Sequence, residues 1–293
     1  MAPATGGSAL RSTSGRAEPL AHRHYRGFGL SIASDFAIPG AVELGGDTTS
    51  DLTIRSGTAQ LDAEARSDPP YRLLAKQLQL TVTGTADYLL ASPSELIVQP
   101  HPGASAEEVS ALLIATALPM ALWARAGLVL HASGVVLPGT DRAIALAGPS
   151  GSGKSVLARA LIERGARLVG DDTLWLRQHG DTINASGLPG GTFDQSAARQ
   201  FHPTSTAQRA ETAPLGAIVY LTGETGKLTG PTALATLLRH RHRPRIPALL
   251  GIEAERLALS ALLCAKVPMY GLALDWRDPA GALEQLMALA PGR

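Results

Sequence analysis

One short stretch of the sequence carries a specific chemical pattern. Residues 148–155 read Gly-Pro-Ser-Gly-Ser-Gly-Lys-Ser, which matches the spacing G-x-x-x-x-G-K-[ST] of a phosphate-binding loop (P-loop) without deviation. Its glycines let the backbone turn N–H groups toward a phosphate, and the N-terminus of a following helix adds a positive partial charge. Lys154 would reach the β- and γ-phosphates, and the Ser155 hydroxyl would join a Mg²⁺ shell. The predicted nucleotide-binding residues are Gly148, Pro149, Ser150, Gly151, Ser152, Gly153, Lys154 and Ser155.

Two neighbouring carboxylates follow this loop. Asp171 and Asp172 end an apolar run that starts at Arg167, and Asp171 lies seventeen residues past Lys154. Carboxylates in such a place can ligate Mg²⁺ and accept a proton from an attacking hydroxyl. Successive residues of a strand point in opposite directions, so we expect the two aspartates to have different roles. Without the P-loop, the pair of aspartates would be as typical of a solvated turn as of a functional site.

Three further segments are weaker candidates, each with a structural alternative. His131 lies in the apolar run Leu128–Val136, where a lone histidine is more often a satisfied core residue than a catalytic or phosphate-side group. The turn Gly187–Gly191 either lines a cleft or is a plain loop. The run Arg239–Arg245, Arg-His-Arg-His-Arg-Pro-Arg, suits phosphate or carboxylate recognition, but such runs are usually solvated. Its histidines are not expected to form a zinc site, because no cysteine and no second histidine at helical spacing stands nearby.

The elements around these residues follow an α/β pattern from residue 127 onward. Apolar runs predict strands at Leu128–Val136, Ala143–Ala147, Arg167–Asp172, Ala217–Leu221 and Met269–Leu274. Helices are predicted at 154–164, closed by a glycine at 165, and near 231–239, 253–265 and 279–288. The alternation indicates a largely buried sheet flanked by helices, with a strand leading into the P-loop and a helix leading out.

The preceding half of the chain has a period of two. Residues 76–83 alternate polar and apolar side chains, and 52–55 and 96–98 are further short strands between glycine- and proline-rich turns. Ser105 and Glu108 then fit a capping box that opens a helix to about Ala124. The predicted division is a disordered leader (1–19), a β-rich N-terminal domain (20–104), a linking helix (105–126) and a P-loop domain (127–293).

Composition excludes several classes of protein. The formal net charge is +1 and aromatic residues make up 4%, which disfavours nucleic-acid binding. Cys264 is the single cysteine, so no disulfide framework or cysteine-based zinc site can form, and a reducing cytoplasmic location is expected. The N-terminus has no apolar signal region. The uncharged run Val109–Ala124, interrupted by Pro119, is too short and broken to predict a membrane span.

The motifs together resemble the HPr serine kinase family. The resemblance rests on Leu130–Ala132, on the P-loop at 148–155 and on Arg164–Asp172, which reads Arg-Gly-Ala-Arg-Leu-Val-Gly-Asp-Asp. The layout, with 123–131 and 267–272, is similar to the HPr kinase-like enzymes of lasso-peptide biosynthesis. It implies an α/β P-loop kinase domain of the HPr kinase C-terminal type, preceded by a smaller β-rich domain.

The resemblance also implies a reaction: transfer of the γ-phosphoryl group of ATP to a serine hydroxyl, with Mg²⁺. Asp171 would be the general base, while Asp172, Ser155 and His131 would organise Mg²⁺ and the phosphates. In the lasso-peptide branch the acceptor is the C-terminal serine of a precursor peptide. The family signature E-x-R-G-x-G is replaced here by residues 187–192, Gly-Leu-Pro-Gly-Gly-Thr, which argues against HPr as substrate and against the reverse reaction. The arginines of the 239–245 run could supply a substitute positive charge.

Two other functions stay open at this point. A small-molecule hydroxyl kinase would use the same residues on a sugar or alcohol. An ATP-sensing regulatory protein would bind the nucleotide without transfer, although sensing does not require the Asp171–Asp172 pair. A homo-oligomer is possible, and no membrane partner is expected.

Overall fold

Two large β-sheets joined by a helical segment make up the described part of the chain. The computed structural model describes residues 22–46, 48–194, 200–221, 223–275 and 277–288. The leader predicted at 1–19 lies outside these described residues.

The first sheet contains nine strands and confirms the period-two pattern of the N-terminal half. The strands are β1 (Arg23–Gly27), β2 (Leu30–Ser34), β3 (Val42–Leu44), β4 (Leu52–Ser56), β5 (Arg66–Asp68), β6 (Tyr71–Leu74), β7 (Gln77–Val82), β8 (Ala86–Ser92) and β9 (Glu95–Pro100). Their order is β3-β1-β2-β4-β9-β8-β7-β6-β5. The pairs β2–β4 and β4–β9 are parallel, and the other pairs are antiparallel.

The helical segment begins at the predicted capping box. Glu108 donates its backbone N–H to Ser105 Oγ at 3.1 Å, and the Glu108 carboxylate accepts the N–H of Ser105 at 3.2 Å. Helix α1 (Ala106–Leu112) continues through a π-helical turn (Leu113–Ala117) into α2 (Leu118–Trp123).

Pro119 explains part of this irregularity. Proline has no N–H to donate, so the carbonyl of Ala115, four residues earlier, loses its helical partner. Arg243 Nε donates to that carbonyl at 3.0 Å and thereby ties the segment 239–245 to the helix. The window Ala106–Trp123 has a mean hydropathy of 1.3, enough by length and composition to cross a membrane, but 61% of it is buried inside the protein. It packs as a core helix.

The second sheet follows the helical segment and is mixed. Its strands and the associated pair β16–β17 are β10 (Leu128–Leu130), β11 (Ala132–Val136), β12 (Ala143–Ala147), β13 (Arg167–Gly170), β14 (Leu174–His179), β15 (Thr182–Ser186), β16 (Gly191–Phe193), β17 (Phe201–Pro203), β18 (Thr212–Leu221), β19 (Gly226–Leu228) and β20 (Met269–Leu272). The main order is β10-β14-β15-β18-β12-β11-β13, and β20 pairs with both β18 and β19. Among the described strand pairs of this second sheet, β12–β18 and β18–β20 are parallel and the others are antiparallel.

Five α-helices accompany this sheet in the described part of the chain, and all but the short helix at Ile246–Leu249 lie at predicted places. They are α3 (Lys154–Glu163), α4 (Gly230–Arg239), α5 (Ile246–Leu249), α6 (Glu253–Lys266) and α7 (Pro279–Ala288). α3 lies against β11, β12 and β13, where its buried leucines join an apolar cluster with β12 and β18.

One predicted strand is two separate strands in the structure. The apolar run Leu128–Val136 breaks at His131 into β10 and β11, which have different partners: β10 pairs with β14, and β11 pairs with β12 and β13. Apolar side chains run through the break, so hydrophobicity alone could not reveal it.

The main hydrophobic core crosses the predicted domain boundaries. One buried cluster contains Leu52 and Tyr88 of the first sheet, Trp123 of α2, and Trp175 and Tyr220 of the second sheet. The division into domains at 104/105 and 126/127 stays a prediction.

Candidate functional site

The glycine-rich loop, residues 148–153, leads from the end of β12 into the first turn of α3. Gly151 and Gly153 have φ angles of 82° and 91°, in the left-handed region that glycine adopts without a steric cost. Gly153 is the residue before the helix and carries no side-chain cap, so the first N–H groups of α3 face the loop. This is a local arrangement that can bind an anion.

Lys154 is folded back over this loop. Its side chain is buried, and Nζ donates to the carbonyl oxygens of Gly148 at 3.0 Å and Pro149 at 2.9 Å. Burial lowers the pKa of Lys154, while the charges of Asp172 and Asp171 act in the opposite direction. The cation is therefore held at the mouth of the loop, near two carboxylates.

Asp171 directly follows the last residue of β13 and is half-buried. Its Oδ1 accepts hydrogen bonds from the hydroxyls of Ser155, at 2.9 Å, and Ser133, and its Oδ2 accepts from the N–H of Phe193 at 3.3 Å. Burial raises the pKa of Asp171, and the two serine hydrogen bonds counteract part of that rise. A carboxylate with a raised pKa is a better proton acceptor than an ordinary one near neutral pH.

Asp172 has a different environment from its neighbour, but both aspartates lie beyond the end of β13, so strand alternation is not the cause. It has a φ of 67°, which Asp tolerates better than most residues, and its side chain is 41% exposed. Its carbonyl oxygen accepts a 3.0 Å hydrogen bond from His131 Nδ1, and its Oδ1 lies 3.5 Å from the same nitrogen.

The sequence assigns Ser155 and Asp172 to the Mg²⁺ shell, and that assignment stays a prediction. The hydroxyl of Ser155 contacts Asp171, and Asp172 is turned toward His131 and His242. Asp172 has a left-handed backbone, and its carboxylate lies near the rings of His131 and His242.

His240 and His242 join the site through strand pairing. The N–H of His242 donates to the carbonyl of Val129 at 2.8 Å, and the N–H of His131 donates to the carbonyl of His240 at 3.0 Å. These bonds flank an isolated bridge between Leu130 and Arg241, so the segment extends β10 antiparallel.

Residues 131, 240 and 242 then share one face of the pairing. His242 packs edge-on against His131, with ring centroids 5.3 Å apart. Burial lowers the pKa of all three histidines, and that of His242 falls to about 4.

Two potential metal ligands lie near His242, although spacing along the sequence indicates none for the histidines of the 239–245 run. Ring nitrogens of His131 and His242 and a carboxylate oxygen of Asp172 all lie within 4.8 Å of one another. The partners come from three separate segments, which spacing along the sequence could not show.

The arginines of the 239–245 run mostly bind protein groups. Arg241 pairs with Glu253 at 2.8 Å, Arg243 bonds to the helical segment, and Arg245 pairs with Asp68 at 2.6 Å. Arg239 is exposed and lines the cavity described next.

A cavity of about 1090 Å³, here called the loop cavity, gathers these residues. Its walls include Gly148–Ser150, Ser155, both aspartates and the segment 239–244. Its volume is ample for a nucleoside triphosphate.

A second cavity of about 750 Å³, here called the apolar cavity, reaches the same aspartates from another side. It lies between the first sheet, α1 and β16–β17, and most of its lining is apolar, including Phe36, Pro39, Ala111, Ile114, Leu188 and Phe193. Asp171 and Asp172 line both cavities. The turn Gly187–Gly191 follows β15 and contributes Leu188 and Gly191, so it lines a cleft rather than forming a plain surface loop.

Comparison with solved structures gives a remote likeness. No family model matches the sequence, and no curated protein matches it. The structure is similar to the HPr(Ser) kinase/phosphatase of Coxiella burnetii, with a TM-score of 0.37 and 16% sequence identity, over 55% of this chain and 94% of that chain. At this level the similarity says nothing about activity. Membership of the HPr kinase family, and of its lasso-peptide branch, stays a prediction.

Proposed function

We propose that this protein is an ATP- and Mg²⁺-dependent kinase that transfers the γ-phosphoryl group to a serine hydroxyl of a peptide or protein. The acceptor that the sequence resemblance implies is the C-terminal serine of a lasso precursor peptide. The observation that carries the proposal is the contact between Ser155 Oγ and Asp171 Oδ1 at the mouth of the glycine-rich loop.

The donors at this contact fit Mg²⁺. Hydroxyl and carboxylate oxygens are the ligands that Mg²⁺ prefers, and Ser155 presents such an oxygen beside the carboxylate of Asp171. A bound Mg²⁺ would neutralise part of the negative charge on the β- and γ-phosphates. Lys154 has carbonyl partners that phosphate oxygens would replace, because a charged acceptor binds an ammonium group more strongly than a neutral one.

The chemical step follows from these positions. Asp171 accepts the proton of the acceptor hydroxyl while the hydroxyl oxygen forms a bond to the γ-phosphorus. The bond from that phosphorus to the β,γ-bridging oxygen breaks, and ADP leaves with the electron pair. Lys154 and the loop N–H groups stabilise the negative charge on the phosphoryl oxygens. His131 holds the backbone of Asp172 through its carbonyl, so Asp172 remains at the junction of the two cavities.

The apolar cavity supports a peptide acceptor. It opens onto the aspartates opposite the glycine-rich loop, and its apolar walls suit side chains that precede a terminal serine. A cavity of this size would also admit a small alcohol, which keeps the small-molecule kinase as a second candidate.

An acceptor comparison tests the proposal. The protein is incubated with ATP and Mg²⁺ and either a serine-ended precursor peptide from the same gene neighbourhood, the same peptide with Ser→Ala at its end, or a panel of sugars and alcohols. Mass spectrometry is expected to show one added phosphoryl group on the serine peptide alone. Transfer to a small alcohol, with none to peptide, would replace the proposal by the small-molecule kinase. ATP binding without transfer to any acceptor would favour the sensor function.

A further inference from the structure

Three metal-ligating side chains converge where the loop cavity meets β10. We propose that His131, Asp172 and His242 form a site for a first-row transition-metal dication, with Zn²⁺ the best fit. This site is separate from the Mg²⁺ position at Ser155 and Asp171, and its binding of metal does not depend on phosphoryl transfer.

The backbone holds the three side chains together. His131 and His242 lie on one face of the pairing between β10 and the segment 240–242, fixed by the hydrogen bonds from His242 to Val129 and from His131 to His240. Asp172 comes from the end of β13 and approaches through its left-handed backbone. Their ligand atoms lie within 4.8 Å of one another.

Each histidine also has a partner for its second ring nitrogen. The Asp172 carbonyl can only accept, so His131 Nδ1 donates to it at 3.0 Å and the neutral ring keeps its lone pair on Nε2. His242 Nδ1 lies 2.7 Å from the hydroxyl of Thr173, which can accept in the same way. Metal-ligating histidines usually donate their other N–H to a carbonyl or similar oxygen, because that bond fixes the tautomer and the ring orientation.

The donor set decides the class of metal. Two imidazole nitrogens and one carboxylate suit Zn²⁺ and its neighbours, whereas Mg²⁺ prefers oxygen ligands throughout. Ligands about 2.1 Å from a tetrahedral ion are about 3.4 Å apart. Separations of up to 4.8 Å therefore have to shrink by up to about 1.4 Å, and movement of the half-exposed Asp172 carboxylate contributes to this contraction.

Three protein ligands leave a coordination position free. The three residues line the loop cavity, so this position faces the space shared with the glycine-rich loop. An oxygen of water, of a phosphoryl group or of an acceptor could occupy it.

Zinc titration of the tag-free, nucleotide-free chain tests the proposal. Calorimetry with Zn²⁺ in a large excess of Mg²⁺ is compared for wild type, His242→Asn and Asp172→Asn, and bound Co²⁺ is followed by its visible absorption. His240→Asn is the matched control, because His240 lies on the same segment but outside the cluster. The amide of asparagine can still bond to Thr173, and circular dichroism in a chelator verifies folding.

We expect one Zn²⁺ per wild-type chain, an affinity at least about tenfold weaker in both variants, and unchanged binding in His240→Asn. Absence of stoichiometric Zn²⁺ in the wild type, or displacement by Mg²⁺, would overturn the site. So would wild-type affinity in Asp172→Asn, the variant that tests the cluster if His242→Asn fails to fold. Because no nucleotide is present, a negative result here leaves the kinase proposal standing.

Discussion

Ser155 Oγ donates a 2.9 Å hydrogen bond to Asp171 Oδ1, which links the first turn of α3 to the end of β13. The two residues lie sixteen positions apart in the chain. The link fixes which of the paired aspartates accompanies the glycine-rich loop, and it leaves Asp172 to the histidines. The site therefore has two carboxylates with different partners and different exposure.

A bulky substitution at Ala111 tests whether the acceptor binds in the apolar cavity. This exposed residue of α1 lines the cavity, so Ala111→Trp would place an indole ring in the path of the acceptor. We expect the acceptor KM to rise at least about tenfold, which is about 1.4 kcal/mol, while the KM for ATP stays the same.

Ala254→Trp is the control, since Ala254 is exposed on α6 and does not line either cavity. An acceptor KM that is equal in the two variants would show that the acceptor binds elsewhere.

A substitution at Gly187 tests the backbone packing that holds Asp171 in place. A Cβ added at Gly187 would lie 2.7 Å from the Cα of Gly170, the residue before Asp171, and backbone atoms cannot move aside easily. Gly187→Ala should lower the free energy of unfolding by about 2 kcal/mol or more, as measured by urea denaturation.

Gly45→Ala is the matched control, because a Cβ at Gly45 meets no atom within 4 Å. If the two variants are equally stable, the close approach of Gly170 and Gly187 does not constrain the site.

The burial of the His242 ring predicts that the folded protein loses stability in acid. Burial lowers its pKa to about 4 from an ordinary value of 6.5, so the native ring stays neutral where the unfolded chain gains a proton. The free energy of unfolding should therefore fall as the pH drops from 6.5 toward 4, by roughly 3 kcal/mol in total. His242→Asn removes this contribution and should flatten the pH dependence between about pH 7 and about pH 5.

Urea unfolding in the presence of a chelator measures the effect, with the exposed His179→Asn as control. A pH dependence in His242→Asn as steep as that of wild type would contradict the buried neutral state.

The sequence predicts the local parts of this site well. The G-x-x-x-x-G-K-[ST] spacing, the paired aspartates and the capping box at Ser105 depend on neighbours within a few residues, and the structure brings the loop and the aspartates together. The alternation within β7 likewise contains enough information to place a strand.

Long-range pairing explains what the sequence does not predict. The break at His131 arises because β10 and β11 pair with different strands, and His242 enters the site only through its bond to Val129. The alternation of histidine and arginine in 239–243 does indicate that the histidines share one face, because an extended segment turns alternate residues to opposite faces. Nothing local shows that β10 would be its partner.

The most direct test of the kinase proposal is the rate of serine phosphorylation in Asp171→Asn. An amide can still accept the serine hydrogen bonds but cannot take up the proton, so kcat should fall by about 10² to 10⁴ while the affinity for ATP measured without Mg²⁺ changes little. Lys154→Ala should lose both ATP affinity and transfer, and the exposed Asp181→Asn should behave as wild type. Mass spectrometry of the peptide at timed intervals, beside calorimetry of ATP, measures both quantities. A wild-type rate of phosphorylation in Asp171→Asn would contradict the assignment of Asp171 as the base and, with it, the mechanism proposed for this cavity.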